Sequence, residues 1–213
     1  ALLASPAFLL PACTLPHSQQ NKALQMESTP SNLPSKIQYA LNPEVVYEVQ
    51  LASDAQAFVI TLDSPNKNTG IKTQVNRTLL PRFDPIGGMQ GKLLQLKPEV
   101  LGFTLEIEYP HAKGADRYLL TFEHQGESPV LKKYRKEKLD LNGQVTGGIV
   151  ADFDQMKARW LGPGIPTAPG ATSYQGPRSA LPPLALKQKP LLKLDDAISV
   201  FDYTVEVDVQ TRI

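Results

Sequence analysis

The chain has 213 residues, 41% of them hydrophobic, and its 22 Lys and Arg nearly balance 21 Asp and Glu for a formal net charge of +1. That length and apolar content suffice for one substantial core, while the balanced charge lacks the basic excess that nucleic-acid binding leaves in a sequence. A single cysteine excludes an internal disulfide framework, and beyond the first residues no run approaches the roughly 18 uncharged apolar residues of a membrane span.

Residues Ala1 to Ala12 carry no charge and close on Leu10-Pro11-Ala12 directly ahead of Cys13. An apolar run ending on a small residue before a lone cysteine is what a lipid-attachment signal requires. The segment resembles the end of a bacterial lipoprotein signal, with Leu10 three residues before the cysteine and a polar stretch after it. The resemblance names a processing class and no fold family. It implies cleavage before Cys13, a diacylglyceryl group on the Cys13 sulfur and acylation of the freed amine, with residues 1–12 as a signal-peptide remnant. Thr14, where aspartate would resemble an inner-membrane retention signal, implies the outer membrane, facing the periplasm or the cell surface. The alternative is an apolar N-terminal run in which Cys13 is an ordinary buried thiol.

Between Cys13 and Ser35, polar residues such as Gln19, Gln20, Asn21, Ser28 and Ser31 mix with Pro16, Pro30 and Pro34. Ordering such a segment costs more entropy than its few large apolar residues return, so residues 13–35 read as a flexible tether. About 20 residues of flexible coil reach on the order of 25 Å, enough to hold a domain off a bilayer.

From Lys36 onward the dominant period is two, and residues 36–213 are expected to form one domain. Tyr47, Val49 and Leu51 alternate with Glu48 and Gln50; Phe58, Ile60 and Leu62 follow at the same spacing, and Ile71, Thr73 and Val75 alternate with Lys72, Gln74 and Asn76. Leu101, Phe103, Leu105, Ile107 and Tyr109 form the clearest run, and a Gly114-containing loop leads to Tyr118, Leu120 and Phe122, so 101–124 reads as an antiparallel hairpin. Further strands are expected near Leu131–Tyr134 and Gly143–Val150. Val150, Phe153, Met156 or Lys157, and Trp160 fall at helical spacing before Gly162-Pro163, which predicts one short helix. Many strands against a single short helix predict an all-β protein, an antiparallel β-sandwich or a partly closed barrel.

Between Gly162 and Pro190, closely spaced prolines and glycines exclude regular structure through most of the segment and predict a long excursion. Pro163, Pro166 and Pro169 recur every third residue, the period of a polyproline II helix that a partner could read, although a stiffened crossover explains them as well. Val200 to Gln210 then reads as a strand with Phe201, Tyr203, Val205, Val207 and Val209 on one face and Asp202, Thr204, Glu206 and Asp208 on the other. It is expected as an internal core strand, the alternative being a strand donated to a neighbouring subunit.

Lys132, Lys133, Arg135, Lys136 and Lys138 form a basic cluster that could meet an anionic envelope polymer or lipid headgroups. Equally, it is a solvated face paired across strands with Asp202, Glu206 and Asp208. That acidic stripe is too widely spaced for one calcium ion, and neither a metal nor a cofactor is expected. Asp152, Asp154 and His111 are the best residues for a hydrolase, but no nucleophile, metalloprotease or nucleotide motif accompanies them, and Glu123 and His124 would point to opposite faces of a strand. Asn76-Arg77-Thr78 fits a glycosylation sequon.

These observations favour a non-catalytic, lipid-anchored envelope protein that docks a larger assembly or binds an anionic envelope polymer. Its expected partners are the membrane, through the anchor, and an envelope protein; nucleic acid is not expected. The second reading is a secreted carbohydrate-binding or carbohydrate-degrading sandwich, which would need aromatics such as Tyr109, Trp160 and Tyr174 gathered in an open groove.

Overall fold

Alternation of dry and wet side chains produces antiparallel strands throughout the computed structural model, which describes residues 34–65, 72–163, 183–187 and 191–208. A small sheet contains β1 (Lys36–Asn42), β2 (Val45–Ser53), β3 (Ala57–Asp63) and β4 (Gln74–Pro81). A large sheet contains β5 (Lys92–Glu99), β6 (Gly102–His111), β7 (Gly114–Gln125), β8 (Ser128–Leu139), β9 (Val145–Asp152), β10 (Lys157–Leu161), β11 (Leu184–Leu186) and β12 (Val207–Asp208). Each strand lies beside the next in sequence, so both sheets are meanders. The described residues are all-β and form a β-sandwich, not a closed barrel, within the unit Asn32–Ile213.

One core joins the layers. From the small sheet come Tyr39, Val49, Ile60 and Leu62, and from the large sheet Phe103, Leu105, Ile107, Tyr109, Tyr118, Leu120 and Phe122. Burying one such side chain fully contributes roughly 1.5–3 kcal/mol. The hairpin read at 101–124 is β6 and β7, paired from Gly102↔Glu123 to His111↔Gly114. Its turn needs glycine: Gly114 has φ +140°, and a Cβ there would lie 1.9 Å from the Leu139 carbonyl oxygen.

The small sheet covers only part of the large one, with β1 against β5 and β6. The rest of the inner face is covered by residues 191–208, which contribute Leu192, Leu194 and Val200 to the core. This strap corrects the expected C-terminal core strand. Phe201 packs on Tyr109 of β6 and Tyr118 of β7, and Tyr203 packs on Tyr134 of β8. Val207 then pairs with Leu186 in β11. The strap therefore crosses the sheet: its backbone bridges the start of β8 at Lys193↔Val130, leaves the sheet plane, and joins a ladder again at the edge. Its alternation survives, with Phe201, Tyr203, Val205 and Val207 half-buried and Asp202, Thr204, Glu206 and Asp208 exposed.

Two further expectations are corrected. Residues 150–160 form no helix: β9 continues to Asp152, a turn follows, and β10 returns beside it. Asp152 Oδ1 accepts from the Asp154 and Gln155 amides at 3.1 and 2.9 Å, and Met156 takes φ 52°, which closes the turn. Val150 and Trp160, read as one helical face, lie on opposite faces of the sheet. In the first half of β4 the buried position is Asn76, with Leu79 and Leu80 buried beyond it, and Val75 points outward. The Asn76 side chain donates to the Leu194 and Asp196 carbonyls at 2.6 and 3.1 Å and accepts from the Thr78 and Leu79 amides. A buried amide engaged in this way is a seam between β4 and the strap, not a glycan acceptor. The long excursion read at 162–190 also contains β11; its residues 164–182 and 188–190 lie outside the described set.

Candidate interaction surface

Cys13, Pro166 and Pro169 lie outside the described residues, and Pro163 directly follows the glycine after β10. The basic cluster lies on β8, where alternation and a bulge divide it. Thr121 pairs with Lys133 and Phe122 with Leu131, which leaves Lys132 as the extra residue. Lys133 and Arg135 then face outward, while Lys136 and Lys138 lie on the core side of the strand. The five cations do not form one patch.

Their partners also differ from the acidic stripe expected at 202–208. Lys132 Nζ is 2.6 Å from Asp154 Oδ1, Arg135 bonds Glu137, and Lys136 Nζ is 3.9 Å from Asp116. Lys136 also lies 5.0 Å from the Tyr118 ring centroid. Burial lowers its pKa, with Lys138 acting in the same direction and Asp116 opposing them.

On the outer face, Arg117 sits among Glu106, Glu108 and Glu137, with Nη2 2.7 Å from Glu108. Burial acts to lower the Arg117 pKa, but these three carboxylates hold it above its ordinary value. Glu106, Arg117, Leu119, Arg135 and Glu137 line an open depression of about 200 Å³. Its charges are satisfied by one another, so it is a cross-strand ion-pair network. Below it, the Thr104 hydroxyl donates to Glu99, and the Thr104 and Thr121 hydroxyls are 2.9 Å apart.

The hydrolase candidates are not brought together. Asp152 braces its own turn and Asp154 is paired with Lys132. His111 ends β6 seven residues beyond Thr104, whose row crosses β7 and β8 to Asp152; that separation is roughly 23 Å. Among the described residues no group of three or more His, Cys, Asp and Glu could hold a metal ion. Nor do the aromatics form a sugar platform: Tyr109 is wholly buried, Trp160 is partly exposed on β10, and Tyr174 lies outside the described residues.

As expected from strand geometry, Glu123 and His124 face opposite ways. The His124 ring sits 4.2 Å from Tyr47 and 5.7 Å from Tyr39, between the sheets. The Tyr39 hydroxyl has no hydrogen-bond partner among the described residues, and the His124 ring nitrogens make no hydrogen bond of good geometry there. Burial lowers the His124 pKa, and the nearby Gly126 backbone opposes this only in part. The facing ionisable groups are the two tyrosines, with Glu127 acting on Tyr47.

Because the folded His124 binds protons less readily than the unfolded chain, its contribution is full above the ordinary histidine value near 6.5. Stability is lost as pH falls from there toward the lower folded value. Urea midpoints measured from pH 8 to pH 5 are expected to fall for the wild type, and to fall less for His124→Phe, which keeps the ring contacts without the proton site. Equal pH slopes for the two proteins would remove His124 from this account.

One feature absent from the sequence-based reading is a finger between the sheets. Phe83 pairs with Gln90, the Asp84 amide donates to the Met89 carbonyl, and the Gly91 amide donates to the Arg82 carbonyl. The Asp84 carboxylate accepts from the Ile86 and Gly87 amides at 3.1 and 2.7 Å, and Gly88 takes φ +63°. At its base, Gly91 leaves room for the Tyr109 ring, which a Cβ would approach to 2.6 Å. This braced turn leaves Ile86 94% exposed, with Phe83 at 43% and Met89 at 46%. The signal was present in Asp84-Pro85-Ile86-Gly87-Gly88, a turn composition interrupted by a large apolar residue.

Comparison with models of protein families, with curated proteins and with solved structures finds no match.

Proposed function

We propose that this chain is a non-catalytic, lipid-anchored protein of the bacterial cell envelope, held at the outer membrane through Cys13, whose β domain docks a larger envelope assembly. The observation that carries the reading is Cys13 itself, placed after an uncharged leader and before a polar spacer that ends near Asn32, where the compact β unit begins. The non-catalytic part is supported by the separation of His111 from Asp152 and Asp154 and by the engagement of both carboxylates. Docking is favoured over an anionic polymer because the basic cluster is divided between faces and three of its cations have acidic neighbours.

The test is metabolic labelling with radioactive palmitate in a bacterial host, with a Met-initiated basic n-region supplied ahead of Ala1. The chain is expected to carry label in the membrane fraction and Cys13→Ala to carry none. Equal labelling of the two, or no label on either, would refute the anchor.

A further inference from the structure

The finger belongs to a larger surface. A Cβ on Gly87 would lie 3.8 Å from His111 Cβ, and Gly114 lies against Leu139 and Asp140. The finger, the β6–β7 turn and the β8–β9 turn therefore line one end of the large sheet. In the last of these, Leu141 is 77% exposed.

The charges at this end are arranged unevenly. Asp84 accepts from its own turn, and Asp140 Oδ1 accepts from the Asn142 and Gln144 amides at 2.9 Å. Lys92, Lys113 and Lys138 rim the same end, and none has an ion pair to a described residue. The opposite end also exposes an apolar residue, Val100 at 86%. There, however, the charges are mixed, with Glu123 and Glu127 beside Lys193, whose row runs through Val130 to Glu123, and none of the three is ion-paired to a described residue, so that end has no cationic rim.

We propose that the end formed by the finger and these two turns inserts its apolar tips, led by Ile86, into the headgroup layer of an anionic bilayer. Apolar tips flanked by cations match an interface that is apolar below and negatively charged above. The finger and Leu141 are separated by about three strand spacings, roughly 14 Å. Separate points suit a plane of lipid, whereas a protein interface concentrates its binding energy in a contiguous packed centre. The inference deepens the anchored reading by giving the domain a second contact with a membrane.

The test uses the full chain carrying Cys13→Ala, so that no lipid is attached, in sedimentation with phosphatidylglycerol-containing vesicles and with pure phosphatidylcholine vesicles. Binding is expected to the anionic vesicles and to weaken as salt is raised. Ile86→Asp is expected to reduce affinity at least about tenfold, and Lys92→Glu with Lys113→Glu to reduce both affinity and salt dependence. These side chains are exposed, so thermal melts of the variants should match the parent. Equal binding to both vesicle types, no binding to either, or unchanged binding by Ile86→Asp with Leu141→Asp would overturn the proposal. Palmitate labelling is independent: label without vesicle binding refutes only this inference, and vesicle binding without label refutes only the anchor.

Discussion

Tyr109→Ala is expected to lower the unfolding free energy by about 4 kcal/mol, the scale for removing a large buried ring. Tyr109 has no solvent exposure and stands where three parts of the molecule meet. Its ring contacts Tyr118 within the large sheet and Phe201 in the strap, with centroids 6.0 and 4.6 Å apart. Its hydroxyl donates to the Pro81 carbonyl of the small sheet at 2.7 Å. Burial, reinforced by Asp84, pushes the phenol pKa up, so the group remains a donor across the ordinary pH range. Tyr109→Phe should cost about 1 kcal/mol, because it removes only that bond. Urea unfolding of both variants, read from midpoints at constant slope, checks the pair. An alanine variant no less stable than phenylalanine would contradict the packing of all three parts on this ring.

Asn76→Ala is expected to cost about 3 kcal/mol, with little change in the surface exposed on unfolding. The substitution deletes two donated and two accepted hydrogen bonds at a buried position. Each net bond is worth roughly 1 kcal/mol, and groups stranded without water cost more. Asn76→Asp should be no rescue, since it would place a carboxylate against the Leu194 and Asp196 carbonyls. Hydrogen exchange offers a local check. The Val200 amide, which donates to the Leu79 carbonyl at 2.8 Å, should lose protection in Asn76→Ala as the strap loosens from β4. Retained protection together with unchanged stability would show that the seam is held elsewhere.

How much was legible in the sequence follows from which residues chose their partners locally. The runs at 47–51, 58–62, 103–109 and 118–122 repeat a large apolar residue at every second position because those residues face the core, and all became strands; Leu101, read as part of the third run, stands exposed before β6. The 150–160 segment was ambiguous because a few apolar residues fit either period. Its outcome depended on the free edge of β8 and on the Asp152-braced turn. In the first half of β4 the buried residue is the polar Asn76, and its partners lie 118 and 120 positions away, beyond the reach of any local pattern. The C-terminal alternation marked the half-buried face from Phe201 to Val207, with Val209 outside the described residues, but it could not distinguish a ladder strand from a strap crossing the sheet.

The candidate site was less legible, for related reasons. A basic run on a strand looks concentrated in sequence, yet alternation sends its members to both faces and the Lys132 bulge shifts their phase. Ile86 stood out less than the prolines and lysines, because its exposure depends on Asp84 bracing a turn that has no periodic pattern. The proposed leader and tether are read from composition alone, and the proposed lipidation rests on one atom, the Cys13 sulfur.

Intact-mass spectrometry of the chain extracted from bacterial membranes, made with a complete leader, therefore tests the account most directly. The predicted result is a polypeptide beginning at Cys13, with a diacylglyceryl group on sulfur and an acyl chain on its amine. A membrane-extracted chain with an unmodified Cys13 thiol, or one still carrying residues 1–12, would contradict it.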